Sequence, residues 1–162
     1  MKNYNSTTQE NEQPHWSALQ EVQLSYRNKL NTSLRPKVCQ AEDALNLFRT
    51  VWNVDEMELV ESFKMLLLNN ANRVLGVYHA STGGTTGTIV DVRILLTVAL
   101  KCNSCKILIA HNHPSGNLTP STADLKITER LRDAAKLMDI TLLDHLIITT
   151  DNYHSFANYG LI

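Results

Sequence analysis

Apolar and polar positions recur along this chain with two periods, and the elements follow from where one gives way to the other. Residues 21–30 alternate Val22, Leu24 and Tyr26 against polar neighbours, the pattern of a half-buried edge strand that Arg35-Pro36-Lys37 ends. From Gln40, apolar side chains recur at helical spacing (Ala41, Ala44, Leu45, Phe48, Val51, Trp52), predicting a helix to about Trp52 with that indole in the core. An acidic connection over 53–58 precedes two apolar runs, 61–68 and 73–80, either side of Asn69-Asn70-Ala71-Asn72, which reads as a β-hairpin. Ser81 to Gly87 reads as a flexible loop; it has neither a Walker lysine nor a G-x-G-x-x-G run, so it is not a phosphate cradle. Asp91 is placed to cap a helix over 92–101 that is apolar nearly all round, which predicts burial on every side. Ile107-Leu108-Ile109-Ala110 reads as a short buried strand. Ile127, Leu131, Ala134, Ala135 and Met138 give the helix from about Thr122 to Leu137 one apolar stripe, and 140–149 reads as a last long strand interrupted by Asp144-His145. Helices alternating with strands and one hairpin imply an α/β fold, a mixed β-sheet flanked by helices.

Composition narrows this to one domain with a substantial core: 162 residues, 43% apolar and 19% charged. Residues 1–18, rich in Asn, Gln, Ser and Thr, read as a flexible tail, and residues 19–162 as the domain. A net charge of −1 offers no electrostatic case for binding nucleic acid. No apolar run is long enough to span a bilayer and the first residues carry no signal-peptide pattern, so a cytoplasmic protein is expected. Three cysteines, Cys39, Cys102 and Cys105, argue against a disulfide scaffold. Cys102-Asn103-Ser104-Cys105 lacks the second pair of a zinc site and follows a helix where a redox motif would open one.

The chemistry concentrates at the end of the Ile107–Ala110 strand. In extended chain, alternate side chains share a face, so His111 and His113 point into one pocket and Asn112 points away. Pro114, Gly116 and Pro120 turn the chain back, which brings Asp124 within reach as a third ligand for a tetrahedral zinc ion. Three protein ligands leave a fourth position for water, as catalytic zinc sites do. The same residues fit a plainer reading: a surface turn with two histidines, and Ser121-Thr122-Ala123-Asp124 as a capping box. A hydrolytic site also needs a general base, for which Glu56, Glu58 and Glu61 are candidates; Glu61, which opens a strand, is the best placed. Ser121 can donate a hydrogen bond to an oxyanion if capping leaves its hydroxyl free. Asp144-His145 is either a pair that orients a ligand or a satisfied buried polar pair. His79 and His154 have no evident partner.

Glu61, then His111-x-His113, the seven residues Pro114 to Pro120, Ser121, two more residues and Asp124 together resemble the JAMM metalloprotease motif. The longer words His111-Asn112-His113-Pro114-Ser115-Gly116-Asn117 and Leu143-Asp144-His145-Leu146-Ile147-Ile148, with Glu61-Ser62-Phe63, resemble the RadC branch of the JAB/MPN family. The resemblance covers about Gln40 to Ile162 and extends to the expected Val22–Leu30 strand.

That resemblance implies a JAB/MPN fold with cytidine deaminase-like layering. It implies zinc held by His111, His113 and Asp124, Glu61 as general base, Ser121 as oxyanion support, and a protein or peptide substrate cleaved at an amide or isopeptide bond. The absence of H-x-E followed by P-C-x-x-C weighs against a deaminase proper. The alternatives it carries are a non-catalytic MPN-type interaction module and, through the family's historical DNA-repair label, a repair or recombination accessory. The helix-hairpin-helix region of larger RadC proteins has no counterpart in this sequence, which weighs against autonomous DNA binding. Val92-Arg93-Ile94 departs from similar sequences, which carry Pro before the Arg and an acidic residue after it.

Overall fold

The structure, a computed structural model, describes residues 31–85 and 87–162. The tail expected over 1–18 and the strand expected over 21–30 lie outside the described residues. The elements are α1 (Ala41–Val51), β1 (Ser62–Leu68), β2 (Val74–Thr82), α2 (Val92–Lys101), β3 (Lys106–Asn112), α3 (Thr122–Lys136), β4 (Thr141–Ile148) and β5 (Tyr153–Ser155). They build a mixed α/β fold around a five-stranded sheet of order β2-β1-β3-β4-β5. Every neighbouring pair is antiparallel except β3 and β4, which run parallel. Parallel neighbours need a crossover connection, and α3 is that crossover. It starts just past the end of β3, so the turn joining them sits at the carboxyl end of a central strand.

Strand side chains alternate between two cores. Leu66 and Leu68 of β1 and Leu108 and Ala110 of β3 pack with Ala44, Leu45, Phe48 and Trp52 on the α1 face. Phe63, Met65, Leu67, Ile107 and Ile109 pack with Leu95, Ala99, Leu131 and Ala135 of α2 and α3 on the other. The alternation along β3 places His111 on the α2/α3 face and Asn112 on the α1 face.

Four expectations from the sequence need correction. First, β4 is not interrupted at Asp144-His145; it runs unbroken to Ile148. A bulge accommodates the polar pair instead: Ile107 pairs with Leu142 but Leu108 pairs with Asp144, so Leu143 is the extra residue. A one-residue step exchanges the faces of everything after it. Leu142 lies in the α2/α3 core, Leu143 packs on the α1 core, and His145 is returned to the α2/α3 side, bonded to Thr128 of α3. Second, α2 is buried on one face only: Val92, Leu95 and Ala99 are covered, whereas Ile94 is 50% and Leu100 47% exposed. A helix in an outer layer is covered only on the side facing the sheet and the helix beside it, here β2 and α3, and so has one buried stripe. Third, β2 extends through Ser81 to Thr82, taking in the start of the expected loop. Fourth, His79 has partners: its Nδ1 lies 2.7 Å from the Lys64 ammonium and its Nε2 2.7 Å from the Thr82 hydroxyl. His154 stacks on Tyr159 with ring centroids 4.3 Å apart.

Candidate metal centre

The centre is assembled from the end of β3, the turn after it and the first turn of α3. Asn112 anchors its back. Its amide nitrogen donates to the Met57 and Val60 carbonyls, each at 2.8 Å, and its amide oxygen accepts from the Ser62 N–H at 2.7 Å. One buried side chain thereby ties the segment carrying Glu61 to the histidine strand. Beyond it, His113 Nδ1 donates to the Asn117 carbonyl at 2.5 Å, closing the turn. Gly116 occupies the left-handed region there at φ +76°, where a side chain would be strained. Fixing the proton on Nδ1 leaves Nε2 of a neutral His113 as a lone pair.

At the start of α3 the capping box expected from Ser121 and Asp124 is present. The Ser121 hydroxyl oxygen accepts from the Asp124 N–H at 3.2 Å, and Asp124 Oδ2 accepts from the Ser121 N–H at 2.7 Å. The cap does not exclude ligation. The carboxylate also lies 3.2 Å from His111 Nε2 through Oδ1 and 3.6 Å from His113 Nε2 through Oδ2, and the two imidazole nitrogens are 2.9 Å apart. A tetrahedral ion with bonds of roughly 2.0–2.1 Å spaces its ligand atoms about 3.3 Å apart, within the range of these separations. Among the described residues, His111, His113 and Asp124 form one group of three whose ligand atoms converge closely enough to hold a metal ion. Two neutral nitrogens and a carboxylate suit a divalent ion such as zinc.

Burial opposes charge on Asp124, but the polar surroundings supplied by the His111 and His113 rings and Ser121 outweigh it and hold the carboxyl far below the usual carboxylate range. The Asp124 hydrogen bond raises His113 above its ordinary value against the cost of burial. Glu61 faces the same centre. Phe63 pairs with His111 across β1 and β3, and Glu61 lies two residues before Phe63. Its backbone is held by Gly84, whose carbonyl accepts from the Glu61 N–H at 2.9 Å, and by Gly83, whose N–H donates to the Glu61 carbonyl at 2.8 Å. A Cβ on Gly83 would collide with the Gly87 carbonyl, so this close approach requires glycine. Desolvation raises the Glu61 pKa, while the nearby histidines pull it down. Glu61, Thr88, His111, His113, Ser121 and Asp124 line one open cleft of about 460 Å³. Ser121 accepts in the cap, so its own proton remains available to an acceptor in the cleft.

The other candidates lie elsewhere. Glu58 lines a separate hollow beyond His113 and accepts from the Thr150 hydroxyl at 3.0 Å. Glu56 belongs to a short 3-10 turn and is exposed. Cys39, Cys102 and Cys105 are free thiols. Asp144 and His145 are not one functional pair. Asp144 accepts from Ser155, the Ala157 N–H and the His145 N–H, and burial raises its pKa. His145 is fully buried beside His111, with Nε2 2.8 Å from His111 Nδ1, and burial keeps its pKa well below the ordinary imidazole value. Thr128, against which His145 rests, went unnoticed in the sequence. Its one signal is its position four residues after Asp124 on the same helix face.

A family model described as "RadC-like JAB domain" matches residues 38–161. A UPF0758 protein of Flavobacterium johnsoniae is 37% identical over 141 residues, covering 86% of this chain and 60% of its own length. The UPF0758 protein YeeS of Escherichia coli K12 is 44% identical over 102 residues, covering 63% of this chain and 69% of its own length. The UPF0758 protein tlr1707 of Thermosynechococcus vestitus is 42% identical over 98 residues, covering 60% of this chain. This chain spans 60% of the Flavobacterium relative and 39% of the Thermosynechococcus one.

Proposed function

The chain belongs to the RadC-like JAB domain family, and from that premise we propose that it is a zinc-dependent hydrolase of amide or isopeptide bonds in proteins or peptides. The observation that carries this reading is the shared cleft: three convergent ligand side chains and, facing them, a carboxyl group whose pKa is raised toward the working range of a general base. His111, His113 and Asp124 would hold the ion. When bound, zinc supplies a Lewis acid that polarises a carbonyl oxygen and makes water a nucleophile near neutral pH.

The chain's own groups do the rest. Glu61 takes a proton from the attacking water as the new carbon–oxygen bond forms, then returns it to the amide nitrogen as the carbon–nitrogen bond breaks. The products are a carboxylic acid and an amine, which become a carboxylate and an ammonium as the acid's proton passes to the amine, and Glu61 ends ionised. Ser121 donates its unengaged hydroxyl proton to the carbonyl oxygen as negative charge gathers there. Asn112 and the glycines at 83 and 84 keep Glu61 aimed into the cleft.

The test is metal content, then cleavage, of the purified full chain. Zinc near one equivalent is expected, with hydrolysis in a library of peptide and isopeptide substrates. Glu61→Gln should keep the zinc and lose about 10²–10⁴-fold in rate. A zinc-loaded chain that cleaves nothing in that library, or a Glu61→Gln variant as active as wild type, refutes the hydrolase. Zinc without cleavage would favour a binding module instead.

A further inference from the structure

We infer that His145 and Thr128 are positioning residues that set the tautomer of His111, so that its Nε2 presents a lone pair to the metal. This rests on the metal-centre reading above. It follows from which atoms can donate. The Thr128 hydroxyl is 2.5 Å from the Asp124 carbonyl oxygen, one helical turn earlier, and 2.6 Å from His145 Nδ1. A carbonyl only accepts, so the hydroxyl's single proton goes to Asp124. The short contact with His145 then needs its proton from the ring, and His145 Nδ1 is the donor.

The rest of the chain is forced. His145 is fully buried, packed between Phe63 and Phe156, with centroids 5.6 Å and 4.5 Å away, and no carboxylate oxygen bonds either of its ring nitrogens. A charged imidazolium there would be desolvated without compensation, so the ring is neutral and carries one proton. Nε2 is therefore an acceptor, and His111 Nδ1, 2.8 Å away, donates to it. His111 Nε2 is left as a lone pair facing His113 Nε2 and Asp124. Proton order thus runs from His111 to His145 to Thr128 to the Asp124 carbonyl, and ends on the residue that supplies the third ligand. The Asn117 carbonyl does the same for His113 in one step. Both histidines are locked with Nε2 toward the ion, one by a main-chain carbonyl and one by a relay through the core.

The direct test is nitrogen-15 NMR of the imidazoles in the chelator-treated full chain, which reads the protonated nitrogen of each ring. His145 and His111 are each expected to carry the proton on Nδ1. Thr128→Val removes the acceptor for His145 Nδ1 without touching either imidazole and should erase the single-tautomer pattern in both rings. Zinc titration against a competing chelator should show His145→Leu weakened about 10–100-fold, with His145→Gln, which retains an acceptor near the Nε2 position, recovering most of it. His111 protonated on Nε2 in the wild type overturns the relay, as does a Thr128→Val spectrum identical to wild type. Those results with zinc binding intact would leave the metal centre standing. The expected tautomers in a wild-type chain that takes up no zinc would overturn the metal centre and leave the relay standing.

Discussion

Asp124 closes the cap of α3 and, in the proposed function, completes the ligand set, and the two roles separate in a stability measurement. Asp124→Ala removes the acceptor for the Ser121 N–H and an anionic group from the first turn of α3. A lost cap costs about 1 kcal/mol and the lost charge–dipole term about 0.3–1 kcal/mol, together about 1–2 kcal/mol. For a chain of 162 residues each kcal/mol shifts Tm by about 2–4 °C. The metal-free variant should therefore melt about 2–8 °C below metal-free wild type. Ser121→Ala loses the reciprocal half of the same box and should fall by a comparable amount. Zinc distinguishes them. At one hundred times Kd, an ion that binds only the folded state stabilises it by about 2.7 kcal/mol. That is a rise of about 5–11 °C in wild type and in Ser121→Ala, and no rise in Asp124→Ala. The assay is calorimetry of the chelator-treated chains with and without zinc. A zinc-dependent rise that survives in Asp124→Ala would refute the ligand role and leave Asp124 a capping residue.

The remaining predictions concern the site's protonation and its supports. The raised pKa of His113 means a proton competes with metal for its Nε2; zinc affinity should fall about tenfold per pH unit below that pKa and level off above it. A chelator competition series across that range checks it, and an affinity flat down to about pH 5 would refute it. Asn112→Ala strands the Met57 and Val60 carbonyls and the Ser62 N–H in a buried site, costing about 2–4 kcal/mol in urea unfolding; a loss under about 1 kcal/mol would show that water replaces the amide. Leu95→Ala should cost about 2–5 kcal/mol, whereas Ile94→Gln one residue away should stay within about 0.5 kcal/mol, since only the first is buried.

The candidate ligands were legible because they are local. His111 and His113 need only a period of two, and Asp124 needs only a turn and one helical capping box. Glu61 lies 50 residues earlier in the chain and no periodicity connects it to the histidines. Its arrival in the cleft depends on β1 pairing with β3 in one register and on Asn112 holding the connection. The all-round apolar pattern over 92–101 misleads for a related reason: composition shows that a surface is apolar, and only the neighbours decide which part is covered.

His145 shows most clearly where sequence ends. Asp144 and His145 are adjacent, and both are buried, yet they serve opposite faces of the sheet. Which one reaches the candidate metal centre depends on the bulge at Leu143, a single unpaired residue visible only once β3 and β4 are side by side. Patterns read along the chain are enough for the order of strands and helices, the layered class and the three candidate ligands that lie close together in sequence. The tertiary structure decided which distant carboxylate joins them and which histidine stands behind His111. Strand register is set by pairing across the sheet, where a slip of one residue exchanges the faces, and no pattern within one strand records it.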